Sequence, residues 1–88
     1  MIGYSFTKHA DRELRKLPLA VQRRMIKKLE HALLTGSIFA LTERLTGVSG
    51  IVYRLRVGDY RLVFDRTKDG LVVLAVGHRR DVYRKLPL

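Results

Sequence analysis

The chain has 88 residues, which is enough for a single domain over 1–88 and leaves no room for a second core. It carries 18 Lys and Arg against 8 Asp and Glu, a net charge of +10, and 47% of its residues are hydrophobic. That hydrophobic share argues against disorder, and the charge favours a polyanionic partner, either nucleic acid or an acidic protein. A soluble basic surface with no specific ligand is the alternative.

The composition also excludes several classes of protein. Cysteine is absent, which rules out disulfides and thiol catalysis. No apolar run approaches the roughly 20 residues that span a membrane, and the N-terminus lacks the apolar segment of a secretory signal. The histidines, at positions 9, 31 and 78, do not have the spacing of metal ligands. We therefore expect a cytoplasmic protein with no membrane association, no metal and no other cofactor.

The first part of the chain predicts one strand and two helices. Residues 2–6 have the character of a short strand, and from Thr7, a suitable N-cap, apolar residues recur at helical spacing as far as Leu17. Pro18 then opens a second helix, which is expected to stop at Gly36. Because so few residues join the two helices, they should be near-antiparallel neighbours.

The sides of both helices that lie opposite the apolar stripes are strongly basic. A solvated helix surface is the ordinary explanation for such a run of charge. Its members are Arg12, Arg15, Lys16, Arg23, Arg24, Lys27 and Lys28.

The remainder predicts a connecting loop over 37–50 and then three strands. The strands cover about 51–57, 60–66 and 71–77. The last strand is apolar on both faces, which is typical of an interior strand. The predicted fold is α+β in the order β-α-α-β-β-β, with two antiparallel helices packed on one face of a small, mostly antiparallel sheet. The other face of the sheet is expected to have little to cover it.

The segment YRLRVGDYRLVF places three arginines in the polar positions of a predicted hairpin. With its Gly-Asp pair as a two-residue type II′ loop, Arg56 faces Arg61, and the alternation of side chains puts Arg54 on the same side, away from the helices. We call these three residues the arginine face. Directly opposed like charges destabilise a sheet by up to about 1 kcal/mol, so their placement needs a reason.

Two interpretations of the arginine face are open. Asp59 and Asp65 could neutralise the arginines in an ordinary surface network. Alternatively, the arginine face is a phosphate site whose repulsion is relieved by a bound anion, because the planar guanidinium contacts phosphate oxygens bidentately. We favour the phosphate site.

The ending GHRRDVYRKL follows the last strand. Because that strand should pair with residues 60–66, its C-terminal end is expected near Arg61. His78 could then move a proton near neutral pH, although a lone histidine at a strand end is more often a surface residue. Tyr83 could stack on a base or donate to an oxyanion, or it could pack against a helix.

Together with the order of elements, the segments RELRKLP, YRLRVGDYRLVF and VGHRRDVYR resemble the RelE toxins of bacterial and archaeal toxin–antitoxin pairs. The resemblance covers nearly the whole chain, and the two C-terminal blocks are specific in combination. It implies a ribosome-dependent endonuclease that cuts messenger RNA in the A site, by attack of a ribose 2′-OH on the adjacent phosphate and without a metal. It also implies an acidic cognate antitoxin, contact with the ribosome and mRNA, and contact with operator DNA only through the antitoxin.

The resemblance also implies roles for individual residues. The family's basic strand positions fall on Arg54 and Arg56, its transition-state arginine on Arg61, its late arginine on Arg79 or Arg80, and its tyrosine on Tyr83. With His78 added, the catalytic candidates are Arg56, Arg61, His78, Arg79 and Tyr83. The candidates for binding RNA or phosphate are Arg44, Arg54, Arg56, Arg80, Arg84 and Lys85.

Two departures from the family pattern bear on this mechanism. Some relatives carry lysine where Arg54 and Arg56 stand, and lysine can lower its pKa to act as a base whereas arginine cannot. Proton abstraction must then fall to His78, Tyr83, a substrate group or the ribosome. The loop at 45–47 reads Leu-Thr-Gly where many relatives have Leu-Lys-Gly, which removes one candidate phosphate contact.

Two other functions are open. A ParE-like toxin of the same superfamily would inhibit DNA gyrase by binding, without nuclease chemistry, although such relatives generally lack the Arg-plus-Tyr ending. A non-catalytic nucleic-acid-binding module would also make use of opposed arginines.

Overall fold

The computed structural model describes residues 3–36, 43–44 and 53–82. Its elements are β1 Gly3–Phe6, α1 Lys8–Arg15, α2 Leu19–Leu34, β2 Glu43–Arg44, β3 Tyr53–Val57, β4 Tyr60–Thr67 and β5 Gly70–His78. The predicted α+β fold and the order of its elements are confirmed, with one addition: the predicted loop contains the two-residue strand β2. No helix in the described ranges is long and apolar enough to cross a membrane.

The strands form one mixed sheet in the order β1-β5-β4-β3-β2. β1 runs parallel to β5, and the other neighbouring strands are antiparallel. β5 therefore lies between two strands, as its apolar sequence predicted. Its C-terminal end runs beside the start of β4, where Arg61 pairs with Gly77 and Tyr60 pairs with His78.

Local sequence signals explain where the helices begin and end. The hydroxyl of Thr7 accepts a hydrogen bond from the backbone N–H of Ala10 at 3.1 Å, so the predicted N-cap of α1 is confirmed. Pro18 takes the N-cap position of α2, one residue earlier than a first helical residue. Beyond the end of α2, Gly36 has a φ of 74°, a left-handed conformation that glycine adopts without strain.

The hydrophobic core lies between the two helices and one face of the sheet. The helices contribute Ala10, Leu14, Met25, Leu29, Ala32 and Leu33, and the strands contribute Leu55, Val57, Leu62, Phe64, Leu71, Val73 and Val76. Tyr53 and Tyr60 pack against this cluster. The alternation of β3 and β4 predicts that six residues face the helices, and all six lie in or against this core: Tyr53, Leu55, Val57, Tyr60, Leu62 and Phe64.

A β-bulge decides which side chains of β5 reach the core. Val63 pairs with Ala75, but the next residue of β4, Phe64, pairs with Val73, so Leu74 is an extra residue in β5. In a regular strand, residues three positions apart point to opposite faces. The bulge changes that alternation, and Val73 and Val76 both join the helix-side core.

The prediction that the second face of the sheet has little to cover it is wrong at its centre. Val63, Ala75 and Val82 are fully buried without belonging to the helix-side core. A methyl group placed on Gly77 would lie 3.6 Å from Cβ of Val82, so Val82 lies against this face. The physical reason is in the sequence of β5, because a strand that is apolar on both faces needs cover on both.

Gly70 provides a test of the β1–β5 pairing. Its φ is 151°, and a Cβ placed on it would lie 1.7 Å from the carbonyl oxygen of Gly3. We expect Gly70→Ala to lower the free energy of unfolding by more than about 3 kcal/mol in urea denaturation, because backbone strain and overlap with β1 add. Gly36→Ala is the control: nothing lies within 4 Å of the added methyl group, so only strain of about 1–2 kcal/mol is expected. Equal losses would contradict the described pairing.

Candidate phosphate-binding site

The predicted arginine face is present. Arg56 lies directly opposite Arg61 in the β3–β4 ladder, and Arg54 lies opposite Val63 on the same side of the sheet. The turn between the strands has a φ of 61° at Gly58, and no residue other than glycine has a positive φ in the described ranges. This is the combination that a type II′ loop requires at its two central positions.

Backbone carbonyls hold the side chain of Arg61 in place. Its Nη1 donates to the carbonyl oxygen of Gly58 at 2.7 Å and to that of Tyr60 at 2.8 Å. Among the described residues Arg61 forms no ion pair. The guanidinium is thus oriented by the turn, while the donors on Nε and Nη2 and the full positive charge remain for another partner.

Arg79, which follows β5, is also bonded to the β3–β4 turn. Its backbone N–H donates to the carbonyl oxygen of Asp59 at 2.8 Å. Its Nε lies 3.9 Å from Oδ1 of Asp59, and both side chains are more than half exposed, so this ion pair contributes little. Arg56 and Arg61 therefore flank the β3–β4 turn, and Arg79 is bonded to that turn, so all three residues lie at one end of the sheet.

The sequence also allowed Asp59 and Asp65 to neutralise the arginines. Among the described residues, neither carboxylate pairs with Arg61. Asp65 directs its Oδ1 to the backbone N–H of Arg66 at 2.7 Å. Asp59 is the carboxylate near Arg79. No carboxylate within the described ranges pairs with Arg61, so its charge is available to an anion.

The remaining basic candidates are less centrally placed. Arg54 is half-buried, in register with Glu43 on one side and Val63 on the other. Arg44 lies in register with Tyr53. Arg80 is exposed in the turn after β5. The candidates Tyr83, Arg84 and Lys85 lie outside the described residues.

The expectation that His78 joins the arginine face is wrong. His78 pairs in register with Tyr60, and their rings are in edge-on contact with centroids 5.7 Å apart. Tyr60 packs against the helix-side core, whereas Arg61, the next residue, points to the opposite face. The end of β5 does lie beside Arg61 as predicted, but Gly77 occupies the paired position and His78 is one residue too far along.

His78 instead lines a cleft of about 670 Å³ between α1 and the end of β5. Arg12, Lys16 and Tyr60 are among its other lining residues. On its α1 side, Oε1 of Glu13 accepts the backbone N–H of Val76 at 3.2 Å and lies 3.0 Å from Nε2 of His9. The sequence did not indicate this cleft, because nothing local shows that the C-terminal half of α1 meets the end of β5.

Known proteins share both the sequence pattern and the fold. The family model for the ParE toxin of type II toxin-antitoxin systems, parDE, matches residues 4–83. Three similar solved structures are the toxin–antitoxin complex RelBE2 of Mycobacterium tuberculosis (25% identity, TM-score 0.73, covering 89% of this chain and 98% of that chain), the intact RelBE complex of E. coli (28%, 0.70, 89% and 96%) and the isolated E. coli RelE toxin (29%, 0.71, 89% and 84%). No curated protein sequence matches the chain significantly.

Proposed function

This chain belongs to the ParE toxin family of type II toxin–antitoxin systems, within the RelE/ParE superfamily, and on that premise we propose that it is a ribosome-dependent endoribonuclease that cleaves mRNA in the A site. The membership confirms the resemblance drawn from the sequence. Because the superfamily includes nucleases and gyrase inhibitors, the choice between them depends on the site residues.

The observation that carries the proposal is the fixed guanidinium of Arg61 opposite Arg56, with Arg79 held at the same turn. Phosphodiester transfer builds negative charge on the phosphate oxygens in the transition state, and catalysis requires donors that are already oriented toward that charge. Hydrogen bonds to the turn carbonyls provide such orientation for Arg61.

In the proposed reaction the ribose 2′-OH of the mRNA attacks the adjacent phosphorus. The bond from phosphorus to the 5′-oxygen of the next nucleotide breaks, which leaves a 2′,3′-cyclic phosphate and a free 5′-OH. A base accepts the proton of the 2′-OH, and an acid returns a proton to the 5′-oxygen. Arg61, Arg56 and Arg79 stabilise the charge between these steps, and they carry no proton because arginine stays protonated.

We assign the proton transfer to Tyr83. It follows Val82, which packs over Gly77, and Gly77 is the residue paired with Arg61. His78 lies on the opposite face of the sheet. A tyrosine side chain is almost entirely protonated at neutral pH, so little of it is available to accept a proton, and the free protein would be a poor ribonuclease. The ribosome would raise the cleavage rate by holding the mRNA with its reacting groups close together and aligned.

The proposed partners follow from charge and from the similar structures. The RelBE complexes of M. tuberculosis and E. coli contain a toxin bound to its antitoxin. At a net charge of +10, this chain would take an acidic cognate antitoxin. The resemblance to RelE toxins further implies that it contacts operator DNA only through that antitoxin. Its other partners are the ribosome and mRNA, so its place of action is the cytoplasm.

Gyrase inhibition is the second candidate function, because the matching family model is that of a ParE toxin. Induction of the chain in cells separates the two. We expect primer extension on mRNA to show new 5′ ends within translated codons, together with a rapid loss of protein synthesis. Intact mRNA accompanied by the SOS response and filamentation would instead establish gyrase inhibition.

Arg61 tests the proposed charge stabilisation. Arg61→Ala should lower single-turnover cleavage on programmed ribosomes by about 10²–10³, the loss typical when one oriented donor is removed from a transition state. Arg66→Ala is the matched control, since it removes the same charge from an exposed position on the same strand. Cleavage by this control should stay within about twofold of the parent, and equal losses in both variants would point to net charge alone.

The two proton-carrier candidates differ in a way that kinetics can resolve. Tyr83→Phe should lower cleavage by about 10²-fold or more, the lower end of the range for loss of a general acid or base. His78→Gln should leave both the rate and the pH–rate profile between about pH 6 and 8 unchanged, because His78 lies on the other face of the sheet. If His78→Gln flattens the pH–rate profile, His78 and not Tyr83 carries the proton.

Association with the antitoxin should depend on salt. Charge steering between a basic toxin and an acidic partner raises the association rate, and salt screens it over about 8–10 Å at physiological strength. Stopped-flow measurements should therefore show slower association as salt rises. A rate that does not respond to salt would favour apolar docking on the helices, where Leu19 and Leu34 are exposed.

A further inference from the structure

Two cationic side chains of α2 contact the β3–β4 turn or the end of β3 beside it. Nζ of Lys28 donates a hydrogen bond to the backbone carbonyl of Arg56. A methyl group placed on Gly58 would lie 3.5 Å from Nη1 of Arg24, so this guanidinium lies against the turn. Arg24 and Lys28 are four residues apart in α2 and therefore neighbours on one side of the helix.

These contacts bring five cationic side chains to one tight turn. We call them the turn cluster: Arg24, Lys28, Arg56, Arg61 and Arg79. They come from α2, β3, β4 and the turn after β5. Among the described residues, Arg24, Lys28 and Arg61 form no ion pair, and the carboxylate near Arg79 is the exposed Asp59. Like charges gathered at one turn repel, and several bound anions would relieve the repulsion better than one.

The other two basic residues of α2 are arranged differently. Arg23 and Lys27 line a separate shallow groove with Leu14, Leu19 and Ile26. α2 thus carries two pairs of cations with the same spacing and almost the same sequence position. One pair belongs to the turn cluster, and the other flanks an apolar groove.

We propose that Arg24 and Lys28 bind backbone phosphates of the same RNA strand that the arginine face holds, so that the strand passes around the β3–β4 turn onto α2; this inference rests on the proposed function. The turn has only two residues between the strands, so an RNA strand crosses the end of the sheet within a few nucleotides. The bond to Arg56 uses one N–H of the Lys28 ammonium and leaves the others for phosphate.

The chemistry of the contact predicts what it recognises. Arg24 and Lys28 would meet phosphate oxygens and no base edge, so they add affinity and fix the register of the strand without reading its sequence. Their contribution should fall with salt, because each phosphate contact on a single strand releases a counterion. The ligand is therefore a single-stranded RNA backbone of any sequence.

The test compares two double variants of equal net charge, Arg24→Gln/Lys28→Gln and Arg23→Gln/Lys27→Gln. The probe is a labelled single-stranded oligoribonucleotide with 2′-O-methyl groups, which cannot be cleaved, and the measurement is anisotropy over a range of salt. The first variant should bind at least about tenfold more weakly, and its slope of log affinity against log salt should fall by about 0.7 per lost phosphate contact. The second should stay within about twofold of the parent.

Further measurements separate binding from folding and from the proposed reaction. Arg24→Gln alone leaves the Lys28 bond to β3 intact, and it should also lower the salt slope. Equal weakening by both double variants, no weakening by the first, or no RNA binding by the parent would overturn the inference. Primer extension with the parent tests the proposed function separately: RNA binding through Arg24 and Lys28 without cleavage of mRNA would keep this inference and reject the nuclease.

Discussion

The two-residue turn at Gly58 is the constraint on which the site depends. Its positive φ allows a loop short enough to fix the register of β3 and β4, and that register places Arg56 opposite Arg61. A shift of one residue would send Arg61 into the core and Leu62 toward solvent. The carbonyl of Gly58 also holds the guanidinium of Arg61. One backbone conformation therefore sets both the position and the orientation of the central arginine.

Hydrophobic packing on the helix side keeps the arginines together against their repulsion. Opposed like charges on a sheet cost up to about 1 kcal/mol, whereas full burial of a leucine or phenylalanine side chain contributes about 1.5–3 kcal/mol. Leu55, Leu62 and Phe64 are fully buried on the other face of the same two strands. The core therefore outweighs the repulsion several times, and the fold can hold several cationic side chains at one turn.

The alternation of side chains divides the end of the sheet into two chemically different surfaces. Arg61 points to the face where Val82 covers Gly77, while Tyr60 and His78 point to the cleft beside α1. His78 and Arg61 are thus close to each other across the β4–β5 pairing but point to opposite faces of the sheet. α2 joins the arginine side at the turn itself, through Arg24 and Lys28. The basic surface consequently continues around the end of the sheet.

The sequence by itself determined what depends on local periodicity and turn chemistry. The period of two put Arg54, Arg56 and Arg61 on one face, the Gly-Asp pair set the hairpin, Thr7 capped α1, and the apolar character of β5 placed it inside the sheet. Only the tertiary structure decided the bulge at Leu74, the burial of Val63 and Ala75, the face of His78 and the contacts of Arg24 and Lys28 with the turn. Each of these features depends on contacts between elements that are distant in sequence, and local residue patterns do not predict such contacts.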